Sequence, residues 1–133
     1  MVERARARIG HTRSSGPQRV EAGHVRRWCE AIGDHNPRWE REAPPTFLAA
    51  MGAETLELPE ALAYGRGWLN GGDRFEHREP VLIGDLLSSE MKLVDVYEKQ
   101  GASGSLLFIV TETTFLNQHG RVVATVRGTR IRR

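Results

Sequence analysis

LLSSEMKLVDVYEKQGASGSLLFIVTETTFLNQHGRVVATVRGTRI, residues 86–131, decides the fold. Two runs rich in β-branched and aromatic residues, about Leu86–Lys99 and Ser105–Leu116, are separated by the turn Gly101-Ala102-Ser103-Gly104. Such composition between turn residues predicts strands. The middle of the second run is apolar on both faces, so it should be a central strand covered on each side. Asn117-Gln118-His119-Gly120 has the composition of a four-residue hairpin loop, and Val122–Ile131 reads as the last strand of an antiparallel meander. Just upstream, a strand near Arg74–Arg78 precedes a turn over Pro80–Asp85.

Further toward the N-terminus the period changes. Val25, Trp28, Cys29 and Ile32 follow the i, i+3, i+4, i+7 spacing of one buried helix face, and Gly33 is suited to end that helix in a left-handed conformation. Asp34-His35-Asn36-Pro37 must be a loop, because the proline disfavours helical geometry at Asn36. Ala43-Pro44-Pro45 is extended, and Thr46 is a suitable N-cap for a brief helix from Phe47 to Met51. A second short helix is expected over Pro59–Tyr64. Interruptions at Gly52, Pro59, Gly65 and Gly67 exclude a long helix between Thr46 and Gly72. A short extended piece around Gln18–Glu21 leads into the first helix, and residues 1–16, polar and basic, are expected to be mobile. The reading is one α+β domain over residues 17–133, a short helical layer followed by long antiparallel strands.

Composition narrows the function. The chain has 133 residues, 39% hydrophobic and 27% charged, with a formal charge of +2. Arginine is concentrated at Arg4–Arg27 and Arg121–Arg133, without the aromatic reading surface or motif of a nucleic-acid binder. A single cysteine, Cys29, excludes an intrachain disulfide and points to a reducing cytoplasm. Set among apolar helix positions, it reads as packing rather than as a nucleophile. The start, MVERARARIGHTRSS, has no apolar core of a secretory signal, and the longest apolar run, Leu106–Val110, is too short to span a bilayer. No metal-ligand spacing, P-loop, dinucleotide fingerprint or serine elbow is present, so neither metal nor cofactor is expected.

The loop Gly33-Asp34-His35-Asn36-Pro37 resembles the G-D-x-N-P-x-H signature of the MaoC-like R-specific enoyl-CoA hydratases. Three more pieces agree in order. Ala43-Pro44-Pro45-Thr46-Phe47 is similar to the APPTF element of the N-terminal (FAS1-like) dehydratase domain in that superfamily. Phe75-Glu76-His77, Pro80-Val81 and Gly84-Asp85 resemble its F-E-x-x-x-P-V-x-x-G-D segment. Val94–Lys99 and Thr111-Glu112-Thr113 resemble its later strands. The likeness covers roughly residues 17–133. It implies a hot-dog fold, an antiparallel sheet wrapping a shortened, interrupted central helix. It also implies chemistry on acyl thioesters of coenzyme A or acyl carrier protein, whose phosphates would suit the arginine-rich ends. In catalytic members the motif's aspartate and histidine hold and activate one water, while a backbone N–H polarises the thioester carbonyl.

This chain departs from the pattern twice. The motif's aspartate and asparagine fall on Asp34 and Asn36, but its histidine falls on Trp39. An indole N–H donates a hydrogen bond and cannot exchange a proton near neutral pH. His35 is the nearest imidazole, at the variable position of the motif. Pro45 stands where catalytic members have the glycine that supplies the polarising N–H, and proline has none. The expectation is therefore a chain without catalytic residues of its own, Asp34 and Asn36 acting as turn and cap residues. It would be the non-catalytic half of a heteromeric enoyl-thioester hydratase or 3-hydroxyacyl-thioester dehydratase, paired with a catalytic hot-dog subunit. Pro45, Thr46, Phe47, Leu48, Met51 and Trp68, with Leu62 and Tyr64, are the candidates to line its acyl tunnel. Alternatives are an autonomous homodimeric dehydratase using Asp34, Asn36 and His35, or a non-enzymatic acyl-thioester binding module. His24 and His119 are expected to be exposed, and His77 to be structural.

Overall fold

The computed structural model describes residues 1–52, 56 and 58–133. Strands β3 (Leu86–Gly101), β4 (Gly104–Leu116) and β5 (Val122–Arg132) form the expected antiparallel meander. The β3–β4 ladder runs from Ser88↔Leu116 to Gly101↔Gly104, and β4 pairs β5 from Leu107↔Arg132 to Leu116↔Val122. β1 (Thr12–Arg19) joins β3 and β2 (Trp68–His77) joins β5, so the order is β1-β3-β4-β5-β2, antiparallel throughout. β4 is central, as its double apolar face requires. The curved sheet holding short helical turns is the hot-dog fold.

Several boundaries differ from the sequence reading. Residues 1–16 are not a loose lead: Val2–Arg6 form helix α1, and most of β1 precedes residue 17, so that boundary falls inside a strand. Ala5 is fully buried in α1, and the Gly10 amide donates to the Leu93 carbonyl at 2.8 Å. β1 was hidden because nearly every residue in it faces solvent. β2 begins at Trp68, well before Arg74, because Gly71 and Gly72 sit in a bulge that breaks alternation.

Helix α2 (Ala22–Ile32) buries Val25 and Cys29, while Ile32 is 48% exposed and leaves the predicted apolar face. Gly33, at φ 68°, ends it in the left-handed region. His24, expected on the surface, is half-buried with its ring edge against Phe47 at 4.8 Å. Among the described residues the central helical region consists of two 3-10 segments, Phe47–Ala50 and Pro59–Tyr64. Residues 53–55 and 57 lie outside the described residues. Thr46 precedes the first segment without a side-chain capping bond, contrary to expectation. No helix among the described residues is long and apolar enough to cross a membrane.

The interior divides in two. Val20, Val25, Phe47, Leu48, Leu87, Phe115 and Val123 centre one apolar cluster; Ala5, Leu58, Ala61, Leu93, Val96 and Leu107 centre the other. Phe47 is fully buried, with Trp28 edge-on at 6.0 Å as well as His24. Truncating it leaves a void that a single 3-10 turn cannot close. Phe47→Ala should cost about 3–5 kcal/mol, to be read from urea unfolding midpoints.

Tyr64 ties the second 3-10 segment to β3, its hydroxyl donating to Glu98 Oε2 at 2.7 Å. Burial, reinforced by that carboxylate, pushes the phenol up to about 12. Folding thus favours the protonated phenol. The contribution is complete below the ordinary value of 10.0 and is lost as pH rises toward about 12. Tyr64→Phe should flatten the decline of melting temperature across that alkaline window, as thermal melts at stepped pH would show.

Candidate functional site

The motif loop is held by its own side chains. The Asp34 amide caps α2 by donating to the Cys29 carbonyl at 3.0 Å, and Asp34 Oδ1 accepts from the Asn36 amide at 3.1 Å. Asn36 Oδ1 accepts in turn from the Arg38 amide at 3.0 Å, capping the 3-10 turn Pro37–Glu40. Short polar side chains favour such local closures, and they leave the loop one conformation. His35 is exposed between them. Cys29 is buried beneath the loop; burial raises its thiol above the ordinary value, and the Asp34 charge adds to the shift. A thiol so raised stays protonated at neutral pH and is no nucleophile.

Trp39 follows on that 3-10 turn, half-buried against the first apolar cluster. The Arg38 guanidinium lies 5.5 Å from its ring centroid, and Arg38 Nε is held by Glu42 Oε1 at 2.6 Å. The indole Nε1 is buried and has no acceptor among the described residues. The same indole borders a cavity of 310 Å³ with Pro45, Leu48 and His77, and on its other side a hollow shared with Asp34 and Asn36. The extended approach to Pro45 is anchored where the Ala43 amide donates to the Val81 carbonyl at 2.7 Å. Pro44 supplies the carbonyl that the Phe47 amide meets, starting the turn.

A second cavity, 250 Å³, lies on the concave face of the sheet beside the Phe47–Ala50 turn. Leu48, Met51 and Trp68, three of the expected tunnel residues, line it together. The others do not meet there. Phe47 is sealed in the core, Pro45 lines the neighbouring cavity, and Thr46 is exposed. Leu62 is 63% exposed, and Tyr64 borders a separate hollow near the chain's end. His77, exposed, stacks on Phe75 at 6.1 Å and faces the Trp39 side.

Sequence reasoning missed the sheet's share of this cavity. β4 contributes Ile109, Thr111, Thr113 and Phe115, every second residue, as a strand must when one face lines a hollow. Threonines at alternate positions of an otherwise apolar strand were the available signal. β5 and β2 add Val126, Gly128, Arg130, Asp73 and Phe75. Arg130 Nη1 meets Asp73 Oδ1 at 3.0 Å, so the cavity joins an apolar wall to an ion pair. No group of three or more metal-ligating side chains occurs among the described residues.

The chain matches the family model described as FAS1-like, dehydratase domain region, over residues 7–126. No curated protein sequence matches it. Among solved structures, a chain of the ChsH1–ChsH2 complex from Mycobacterium tuberculosis is 21% identical, with a TM-score of 0.73 over 98% of this chain and 88% of that one. A chain of the truncated HadBC (3R-hydroxyacyl-ACP dehydratase) complex from Mycobacterium tuberculosis is also 21% identical, with a TM-score of 0.72 over 93% and 96%. The (R)-hydratase from A. caviae is 19% identical, with a TM-score of 0.64 over 92% and 94%. At these identities the structures establish shared fold alone; the family match carries the assignment. The chain belongs to the family of the FAS1-like dehydratase domain region and has the hot-dog fold.

Proposed function

We propose that this chain is the non-catalytic half of a heteromeric enoyl-thioester hydratase or 3-hydroxyacyl-thioester dehydratase, shaping the acyl site beside a catalytic hot-dog subunit. One observation carries the reading. At the position where the resemblance calls for a proton-exchanging imidazole, Trp39 presents a buried indole N–H with no acceptor among the described residues. Such a group can donate and cannot take up a proton. Pro45 adds a second loss, since it offers no N–H to a thioester carbonyl.

What the fold retains is room and an edge. The concave cavity is lined on one side by Leu48, Met51, Ile109, Phe115 and Val126, as an acyl chain requires. Both sheet edges carry a register irregularity, but β1 also carries Pro17, which has no N–H to offer a partner strand. β2 is ten residues long, without proline, and exposes Trp68 at 43% and Leu69 at 40%. We assign β2 as the edge that continues into the partner's sheet. That two similar structures come from heteromeric complexes supports a hot-dog partner. The lone buried thiol of Cys29 suits a reducing cytoplasm. A homodimeric enzyme working through Asp34 would need a proton carrier beside it; His35 points to solvent, and Asp34 Oδ1 is already engaged in the turn.

The test is reconstitution with a hot-dog subunit carrying an intact G-D-x-N-P-x-H motif from the same organism. Hydration of a crotonyl thioester by the complex should exceed that by this chain alone by at least about 100-fold, the usual scale of a missing acid–base group. Full turnover by the lone chain would refute the proposal.

A further inference from the structure

The bulge in β2 changes which side chains reach the concave face. In a regular strand, residues three apart point to opposite faces. The extra residue at Gly71, where the register shifts between Asn70 and Gly72, brings Asn70 and Asp73 to the same side. A Cβ at Gly71 would come within 3.0 Å of Thr129 Cγ2 and 3.1 Å of its carbonyl oxygen, so a side chain there would be crowded. Asn70 Oδ1 closes it, accepting from the Gly72 amide at 2.8 Å.

Across the ladder, Asn70 faces Arg130 and Asp73 faces Gly128. Arg130 Nη1 contacts Asn70 Oδ1 at 3.0 Å, Asp73 Oδ1 at 3.0 Å and the Thr129 carbonyl at 3.1 Å. Gly128 makes this possible: a Cβ there would sit 2.6 Å from Asp73 Oδ1. On its other side Gly128 pairs with Thr111 of β4, so Thr111, Gly128 and Asp73 form a row across three strands, all lining the concave cavity. Apolar groups flank the row: Ile109 and Trp68 toward one end, Val126, Phe75 and Phe115 toward the other. A polar band therefore crosses a cavity whose remaining lining, Thr113 apart, is apolar.

The hydrogen bonds of Arg130 are all made by Nη1, so Nε and Nη2 have no protein partner among the described residues, and the side chain is 36% exposed. An alkyl chain filling the cavity would strip water from these donors and return nothing. An oxygen at that depth would satisfy them. Asp73, its side chain 18% exposed, offsets the guanidinium charge, so a second carboxylate would meet an anion as well as a cation.

We infer that Arg130, braced by Asp73 and Asn70, is a specificity-determining residue that makes the cavity prefer acyl thioesters whose chain carries a neutral oxygen, a hydroxyl or a ketone, over plain alkyl chains. The inference rests on the proposed acyl-binding role of this cavity and adds the chemistry of the chain it takes.

Calorimetric titration of the full chain, alone and in complex with its hot-dog partner, tests both levels. The probes are pantetheine thioesters of hexanoic, ω-hydroxyhexanoic and adipic acids. The hydroxylated probe should bind about tenfold more tightly than the other two, the scale of one hydrogen bond to a charged group. Arg130→Met should erase that preference by tightening the hexanoyl probe. Asp73→Asn keeps an acceptor for Arg130 but removes the negative charge, and should shift the preference toward the adipoyl probe even if Arg130→Met fails to fold. Equal binding of hexanoyl and hydroxyhexanoyl probes, or a preference that survives Arg130→Met, overturns the inference and leaves the acyl-binding role standing. Binding of none of the three by either form overturns both.

Discussion

The burial of Phe47 is the constraint on which the rest depends. A hot-dog sheet must cover its concave face with something, and over the first apolar cluster the helical element is a four-residue 3-10 turn. One large side chain, walled by His24, Trp28 and the inner faces of β3 to β5, substitutes for the missing helix. Its position is set from behind, because Ala43 is stitched to Val81 and Pro44 supplies the carbonyl that the Phe47 amide meets. On the other side of the turn the concave cavity lies beside Leu48 and Met51.

The motif loop shows how a turn is held by bonds of its own. Asp34 and Asn36 satisfy three backbone groups between them, including the end of α2 and the start of the next turn. Those bonds suffice to keep residues of these types in place whether or not a water is activated nearby. Trp39 fills the adjoining wall with apolar area, and its orphaned N–H is the mark of a position occupied for volume more than for hydrogen bonding. Acid–base function depends on one exchangeable proton, whereas shape depends on many contacts.

Much of this was legible in the residues. The strands from Leu86 onward announce themselves because one face of each is buried, and the breaks at Gly52, Pro59 and Gly65 exclude a long helix by backbone chemistry alone. The Asp34–Pro37 loop was readable because its bonds are local. What escaped notice depends on partners distant in sequence. β1 is polar along its length and becomes a strand only by pairing with β3. Asp73 and Arg130 look like ordinary solvent-facing charges until β2 and β5 pair and set both on the concave face, where the bulge at Gly71 adds Asn70 beside them. Leu62, apolar and within a predicted short helix, lies on its outer side, where a 3-10 turn with three residues per revolution presents a different face from an α-helix.

The division of the interior into two apolar clusters bears on how the molecule comes apart. Leu48, Met51 and Phe115 belong to one block and Ile109 to the other, and the concave cavity runs along the seam between them. Among the described residues the two blocks share the sheet and meet along this cavity. A guest lodged in the seam acts as mortar. It couples both blocks into one cooperative unit, so its reward is spread through the whole domain rather than confined to the atoms it touches.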